Sequence, residues 1–366
     1  MDTMPRISII ILNWNGWEDT IECLESVYQI KYPNYDVIVI DNGSENESIE
    51  KIKEYAEGKL LLESSFFKYS HENKPIRVTE YSQEEAELVM KGDRHNLDLP
   101  SNKCLILISN PANYGFAEGN NIGIRYCLTN HNPDYILLLN NDTVVEKSFL
   151  DNLIPSLSCN DHNIGIFGPK IYYYDYDGRK DVIWSAGGFF NMWSGIRTTR
   201  YYRSIDCDDA SYPTNVDFVS GAALLIHRDV VKTIGLLDPD YFTYTEDVDL
   251  CCRAKKNGYH IEYLPSSVIW HKVSMSTGAE NSAFSQYLIV RNSVLFMRKN
   301  ASLWHWPTYL TISCCYLLRR MLRADAERRK SMMDGILWHI KGRNRRDLKR
   351  DVKRHTDSQA EFKTAR

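Results

Sequence analysis

Short apolar runs that stop abruptly at small polar residues recur along the first half of this chain: Ile7-Ser-Ile-Ile-Ile-Leu12, Tyr35-Asp-Val-Ile-Val-Ile40 and Tyr135-Ile-Leu-Leu-Leu139. Runs of this kind predict parallel strands buried on both faces. The segments between and after them have helical character. Glu18 to Tyr28 predicts a helix with Thr20, Cys23, Leu24 and Val27 near one face, and Ser48 to Ala56, Gly115 to Thr129 and Val144 to Leu153 predict three more. Strand, helix and strand in this order make a βαβ unit, whose crossover is right-handed. Asp217 to Ile226 and Leu264 to His271 predict later strands. The pattern as a whole predicts an α/β protein with a mostly parallel sheet and helices on both of its faces.

Two stretches break the pattern. Residues 58–103 are rich in Lys, Glu, Asn and Ser, carry Pro75 and Pro100 and hold only short apolar runs. They predict an insertion at the sheet edge, an exposed and mobile excursion with a helix over Gln83 to Lys91. Near the other end, Ala301 to Leu318 contains no Lys, Arg, Asp or Glu, whereas residues 319–354 carry 14 Lys/Arg against 5 Asp/Glu. Residues 1–318 carry 28 against 41, so the formal net charge of −4 hides a basic C-terminal end. With Pro307 and several hydroxyls the apolar segment is marginal as a membrane span and suits a bilayer surface, where the basic residues would meet anionic headgroups. An apolar helix docked on the core, with a solvated basic helix behind it, fits the same pattern. A nucleic-acid patch is disfavoured, since no binding motif accompanies the charge.

The 366 residues, 43% of them hydrophobic, suffice for one large core or two smaller ones. Nine cysteines show no CxxC pair and no zinc-like spacing, which reads as reduced thiols in a cytoplasmic setting. The N-terminus runs straight into the first strand, a segment too short for a signal peptide.

Candidate chemistry lies where the strands end, because ligands of open α/β sheets bind at the carboxyl edge. Asn140-Asn141-Asp142-Thr143 follows the third run, and Asp142 suits either a divalent cation on a nucleotide diphosphate or the cap of a following helix. Asn13-Trp-Asn15-Gly16 ends the first run. Asp41-Asn42-Gly-Ser44 ends the second, and its carboxylate can accept hydrogen bonds from a base or ribose hydroxyl. Asn113, Gly115 and Asn121 belong to a glycine-rich turn and a helix start that suits an anion or a well-capped helix. Glu246 and Asp247 are adjacent carboxylates at a predicted helix start, where they can cap, or can do acid/base work because one charge raises the other's proton affinity. His271 ends the last strand and is followed by Ser274, Ser276, Thr277 and Gly278, which could line a phosphate.

The order of these motifs resembles a family-two inverting glycosyltransferase with a GT-A fold. The resemblance runs from Ile7 to about Asn292 and is carried by Ile-Leu-Asn-Trp-Asn-Gly16, Val-Ile-Asp-Asn-Gly-Ser44, the Asn113 to Asn121 segment, Leu-Leu-Asn-Asn-Asp-Thr143, Thr-Glu-Asp247 and Trp-His271-Lys-Val-Ser274. It is most similar to the branch of rhamnosyl- and galactofuranosyl-type transferases that build surface glycans. The resemblance implies a GT-A domain over residues 1–292 with a Rossmann-like sheet; the apolar and then basic composition predicts a C-terminal helical region over 293–366. It implies donor contacts from Asn13, Asn15, Asp41, Asn42, Ser44, Asn113, Gly115, Asn121 and Asn141, and Mg2+ or Mn2+ held by Asp142 and His271. Asp247, with Glu246 beside it, would be the general base, and Trp270, Ser274 and Arg291 would serve the acceptor or a loop. The expected partners are a UDP- or dTDP-sugar donor, a glycan or lipid-linked acceptor and an anionic membrane surface, with no nucleic acid; the expected location is the cytoplasm, at the inner face of the cell membrane. Asn140 departs from the family's metal motif, which often has a carboxylate there. A nucleotidyltransferase, or a catalytically silent membrane-associated binding module, remains as the alternative.

Overall fold

The computed structural model describes residues 4–88, 103–154, 163–273, 282–342 and 347–348. The first two apolar runs form β1 (Ile7–Asn13) and β2 (Tyr35–Asp41), joined through α1 (Trp17–Val27), and α2 (Ser48–Ala56) follows. Then come β3 (Arg77–Ser82), α3 (Gln83–Leu88), β4 (Cys104–Ser109), α4 (Gly115–Asn130), β5 (Tyr135–Asn140), β6 (Thr143–Val145) and α5 (Phe149–Leu153). The second half contains β7 (Ile164–Tyr173), β8 (Val182–Ser185), β9 (Gly188–Asn191), β10 (Ile196–Thr199), β11 (Ser204–Ile205), β12 (Thr214–Val216), β13 (Ala223–His227), α6 (Arg228–Ile234), α7 (Glu246–Lys256) and β14 (His260–His271). Three helices close the described chain: α8 (Ala283–Asn300), α9 (Trp306–Arg323) and α10 (Ala326–Ile340).

The central sheet runs β11-β8-β7-β13-β5-β1-β2-β4-β3, parallel from β5 to β3, with β14 parallel to β7 and antiparallel to β6 and β12. Side chains alternate across it as the two-residue period of a strand requires. Ile10, Ile38, Ile40, Ile106, Ile136 and Leu138 pack on one face, beneath Ile122 and Tyr126 of α4. Ile9, Ile11, Val37, Val39, Leu107 and Leu137 pack on the other, beneath Cys23, Leu24 and Val27 of α1. Buried side chains on both faces explain why the strands read as continuous apolar runs. The parallel register sets Asn13 beside Asp41 and Leu12 beside Asn140, so three strand ends meet at one edge.

Several expectations need correction. The 58–103 segment is not merely an exposed excursion, because it supplies the edge strand β3, whose polar alternation hid it. Lys74 within it forms an ion pair with Glu25 of α1 at 3.0 Å, with both side chains nearly inaccessible, and Tyr55 donates to the same carboxylate at 2.7 Å. The helix expected over Gln83 to Lys91 is described only as Gln83–Leu88, and its remainder lies outside the described residues. Val144 to Leu153 is not one helix: Val144 belongs to β6, and α5 begins only at Phe149 with Ser148 as its cap. Asp142 therefore precedes a strand, which removes the helix-capping account. The strand expected from Asp217 begins at Ala223, after an isolated bridge from Phe218 to Gly188 and a turn at Gly221 and Ala222.

In the C-terminal part, α10 packs on α8 through Met332, Gly335 and Trp338, and a Cβ at Gly335 would lie 2.8 Å from the Tyr287 carbonyl oxygen. On α9 only Tyr309 is buried, and Leu310, Tyr316, Leu318 and Leu322 are exposed. Among the described residues no helix is long and apolar enough to cross a membrane.

Candidate active site

At the ends of β1 and β2 a small hydrogen-bond network fixes two loops. Asn13 Nδ2 donates to Asp41 Oδ1 at 2.7 Å, Ser44 donates to Asp41 from its hydroxyl at 2.6 Å and its amide at 3.0 Å, and Thr20 donates to Asn13 Oδ1 at 2.8 Å. Asp41 and Asn13 are buried, whereas Asn15 is exposed at a left-handed φ of 53° and accepts from the Glu45 amide at 2.8 Å. Asn42 donates to Asn113 Oδ1 at 3.0 Å and to the Gly115 carbonyl at 3.2 Å, and Asn113 Oδ1 also accepts from the Gly115 amide at 2.8 Å. These groups brace the corner, and Asn15 is the member most open to a ligand.

The glycine-rich segment serves packing. A Cβ at Gly119 would lie 2.6 Å from Leu12 Cδ1, one at Gly123 2.8 Å from Ile10 Cγ2, and one at Gly115 2.5 Å from Phe242, so the glycines let α4 lie close on β1 and admit the 242 loop. Asn121 is buried, donating to the Leu237 carbonyl at 2.8 Å and accepting from the Leu237 amide at 3.1 Å, which ties α4 to a distant loop.

Beyond this corner lies a cavity of about 650 Å³, whose lining includes Asn140, Asp142, His271, Ser220, Gly221, Glu246 and Asp247. The antiparallel pairing of β14 with β6 places His271 opposite Thr143 and its ring beside Asp142. His271 Nε2 stands 3.1 Å from Asp142 Oδ1, with both side chains buried. Burial opposes ionisation of Asp142, but the charge and hydrogen bond of His271 outweigh it and hold the carboxyl below its ordinary range. Among the described residues, His271 Nδ1 and Asn140 Oδ1 are buried without a hydrogen-bond partner. Asn141 Nδ2 donates to the Thr20 hydroxyl at 3.0 Å and braces the same turn against α1. Trp270 alternates to the opposite side of the strand, where its Nε1 donates to the Lys180 carbonyl at 2.9 Å and its ring meets Phe66 and Tyr172, so it does not line the cavity. Ser274, with Ser276, Thr277 and Gly278, lies outside the described residues.

The carboxylate pair comes from the start of α7, after a loop in strained backbone. Phe242, Tyr244 and Thr245 have φ of 68°, 67° and 84°, a region that L residues enter only under constraint. The constraint is visible: Asn292 Nδ2 reaches the carbonyls of Tyr241, Thr243 and Tyr244 at 3.0, 2.8 and 2.7 Å. Arg291, fully buried, donates to Asn292 Oδ1 at 2.6 Å and to the Asp240 carbonyl at 2.7 Å. It sits behind the loop and not in the cavity. Asp247 accepts from the amides of Gly221 at 2.9 Å and Val248 at 2.8 Å. Burial nonetheless raises its proton affinity, and burial together with the Asp247 charge pushes Glu246 well above the carboxylate range. Glu246 Oε2 has no hydrogen-bond partner among the described residues.

Sequence reasoning missed several contributors to this cavity, among them Arg197, Trp184, Tyr316 and Arg320. Arg197 on β10 donates from Nη1 to the Thr245 hydroxyl at 2.6 Å, and Trp184 packs edge-on against the His271 ring with centroids 4.6 Å apart. Tyr316 and Arg320 reach the lining from α9. An arginine in a short polar hairpin carries no local signal, and Arg320 was visible only as part of a charge run.

Asp142 and His271 together offer a hard oxygen and an imidazole nitrogen, a donor set that fits Mg2+ or Mn2+ completed by non-protein oxygens. Among the described residues no three His, Cys, Asp or Glu side chains cluster to hold a metal by themselves.

Solved glycosyltransferases share this architecture. The mannosyltransferase of Pyrobaculum calidifontis, solved with GDP-Man and Mn2+, superposes at a TM-score of 0.51 with 14% identity over 92% of this chain and 85% of that one. GalNAc-T7, solved with UDP, GalNAc and Mn2+, superposes at 0.55 with 17% identity over 81% of this chain and 48% of that one. The fold is therefore that of a GT-A glycosyltransferase. Residues 79–292, more than half of the 366, match the profile described as Glycosyltransferase like family 2, and residues 8–75 match Glycosyl transferase family 2. The chain belongs to the family 2 glycosyltransferases. Curated relatives include the rhamnosyltransferase WbbL of Escherichia coli, 28% identical over 47% of this chain and 65% of that protein. The low-salt glycan biosynthesis hexosyltransferase Agl10 of Haloferax volcanii is 25% identical over 51% and 58%. The N-acetylglucosaminyl-diphospho-decaprenol L-rhamnosyltransferase of Mycobacterium tuberculosis is 26% identical over 54% and 66%. The chain thus spans somewhat less than two thirds of the length of these relatives.

Proposed function

We propose that the protein is a metal-dependent inverting glycosyltransferase that moves a sugar from a UDP- or dTDP-sugar to a hydroxyl of a glycan or lipid-linked acceptor, in the synthesis of a surface glycan. The observation that carries this reading is the shared cavity, which holds Asp247 on one element and the Asp142–His271 pair on two others. Asp247 takes the acceptor proton onto a carboxylate oxygen, and the acceptor oxygen bonds to the anomeric carbon. The bond from that carbon to the diphosphate oxygen breaks, its electron pair leaves with the diphosphate, and the anomeric configuration inverts. A Mg2+ or Mn2+ ion held by Asp142 and His271 would supply positive charge against the leaving group. The strained 242–245 loop, clamped by Asn292, keeps Asp247 in place, and Arg291 keeps the clamp in place. Asn13, Asn15, Asp41, Asn42, Ser44 and Asn141 would form the donor corner, with Asn15 nearest to solvent. The names of the relatives support rhamnosyl or other hexosyl transfer to a lipid-linked acceptor.

A thermal-shift screen against UDP-, dTDP- and GDP-sugars with Mn2+ tests the donor class, since a ligand that binds only the folded state stabilises it. Selective stabilisation by one nucleotide series is expected, and no shift with any of them sinks the proposal. Peripheral attachment to the inner face of the cell membrane through the exposed apolar face of α9 and the basic residues after it belongs to the same reading. Co-sedimentation with vesicles containing anionic lipid, lost in high salt, is the expected result; a protein that stays in the supernatant at low salt removes this part.

A further inference from the structure

Arg197 lines the cavity together with Glu246 and Asp247, and the reaction as derived above does not use it. It is half-buried and stands on β10, opposite Phe190 of β9. The hairpin of these two strands is fixed from three sides. The Phe190 amide donates to Asp217 Oδ2 at 3.0 Å and the Gly188 amide to the Phe218 carbonyl at 2.9 Å, on the stretch that leads to Gly221 and its bond to Asp247. The Phe190 ring meets Phe296 of α8 with centroids 5.7 Å apart, and a Cβ at Gly195 would lie 2.5 Å from the Tyr309 ring of α9. A cation on such a frame is preorganised, so no rearrangement is needed when the reaction calls on its charge.

Two features tie Arg197 to the carboxylate pair. Its Nη1 donates to the hydroxyl of Thr245, the left-handed residue immediately before Glu246. Asn292 holds the loop carbonyls as far as Tyr244, and Arg197 holds the side chain of the next residue. The second feature is charge. A guanidinium stays protonated at any working pH, and among the described residues Arg197 forms no ion pair. The other charged groups around Asp247 are already matched. Asp249 on α7 pairs with Arg253 at 2.7 Å, Arg320 on α9 donates to the Gln286 side chain, and Asp142 and His271, which line the same cavity, pair with each other at 3.1 Å. Glu246 and Arg197 remain. Burial raises the proton affinity of Asp247, and the amides of Gly221 and Val248 and the Arg197 charge oppose it.

We propose that Arg197 is a positioning residue for the base: it holds Thr245 at the head of α7 and supplies the positive charge that keeps Asp247 ionised beside Glu246. This role rests on the reading of Asp247 as the general base, and it explains how a buried carboxyl group in an acidic pair is ready to accept a proton near neutral pH.

NMR of the full chain, isotopically labelled at its aspartate carboxyl carbons, reads the Asp247 titration directly, with the resonance assigned by its loss in Asp247→Asn. Neither donor nor acceptor is needed. Arg197→Gln and Arg197→Met, both uncharged, are expected to raise the Asp247 midpoint by about one pH unit, whereas Arg197→Lys should leave it within about 0.3 unit of wild type. Thr245→Val removes the hydrogen bond and keeps the charge, so the midpoint should stay while the unfolding temperature falls. With the donor found by the thermal-shift screen, the acid limb of kcat/KM should move up with the midpoint in Arg197→Gln and stay in Thr245→Val. A wild-type Asp247 midpoint in Arg197→Gln and Arg197→Met, with cooperative thermal unfolding showing both to be folded, overturns the assignment. A shift of the same size in Thr245→Val does so as well, since loop position and not charge would then set the titration. An arginine-dependent midpoint in a protein that binds and transfers no nucleotide sugar leaves the coupling of Arg197 to Asp247 in place and removes the transferase reading.

Discussion

Asp247→Asn is expected to lower glycosyl transfer by about a thousandfold while leaving donor-nucleotide affinity at the wild-type level. General-base catalysis is worth about a hundred- to ten-thousandfold, and an amide of the same shape cannot take up the acceptor proton. Asp247 does not touch the donor corner, so the donor should still bind. Both Asp247 oxygens accept backbone amides, from Gly221 and Val248, and Asn can satisfy only one of them, so a modest loss of stability accompanies the loss of activity. Thermal unfolding separates the two effects. Glu246→Gln provides the contrast: burial and the Asp247 charge push Glu246 well above the carboxylate range, so replacing it by a neutral amide perturbs the site less than the same change at Asp247 and should lower transfer by less than about tenfold. The pH profile carries the same assignment. Burial raises the Asp247 proton affinity, and the protonated form is inactive. The acid limb of kcat/KM should therefore rise with pH through a midpoint above that of an ordinary aspartate. Wild-type turnover by Asp247→Asn, or an acid limb at the ordinary aspartate value, removes Asp247 from the role of base.

The parallel half of the sheet was legible because strands buried on both faces leave unbroken apolar runs, and each run ends where the strand reaches the ligand edge. Asp41, Asp142 and His271 were findable as strand-end polar residues. That Asp142 and His271 meet was not a local property: it depends on β14 folding back antiparallel to β6, across 129 residues of sequence. The losses have the same origin. Edge strand β3 reads Arg-Val-Thr-Glu-Tyr-Ser and is half-solvated, so its periodicity is that of a polar loop. Strand β6 has three residues, too few for any period to show. Gly115, Gly119 and Gly123 suggested a ligand loop because glycine permits any close approach, and only the tertiary structure reveals that the approaching atoms belong to Phe242, Leu12 and Ile10. Arg197 and Arg320 take their meaning from the cavity they line, which stretches far apart in the chain enclose.

Asp142→Ala is expected to remove the Mn2+-dependent part of donor affinity, about a hundredfold, while the metal-independent remainder, carried by the Asn15 and Ser44 corner, persists. The argument rests on how few protein groups are available. Among the described residues Asp142 and His271, 3.1 Å apart, are the acidic and imidazole side chains paired at this turn, and Asn140, two residues before Asp142, carries no charge. With no cluster of three such ligands among the described residues, a bound ion would draw on diphosphate oxygens and water for the rest of its shell, so the free protein should bind Mn2+ far more weakly than the nucleotide complex does. His271→Ala should cost a similar amount, and the double variant should lose little more than either single one, because two ligands of one ion act as a unit. Asp142→Asn separates charge from geometry: it can keep the contact with His271 but lacks the negative charge, so metal-dependent binding should fall nearly as far as in Asp142→Ala. Calorimetry of Mn2+ and of UDP or dTDP, each with and without the other, reads all four proteins. Additive losses in the double variant, or Mn2+ affinity in the free wild-type protein equal to that of its nucleotide complex, would show that the ion is held elsewhere.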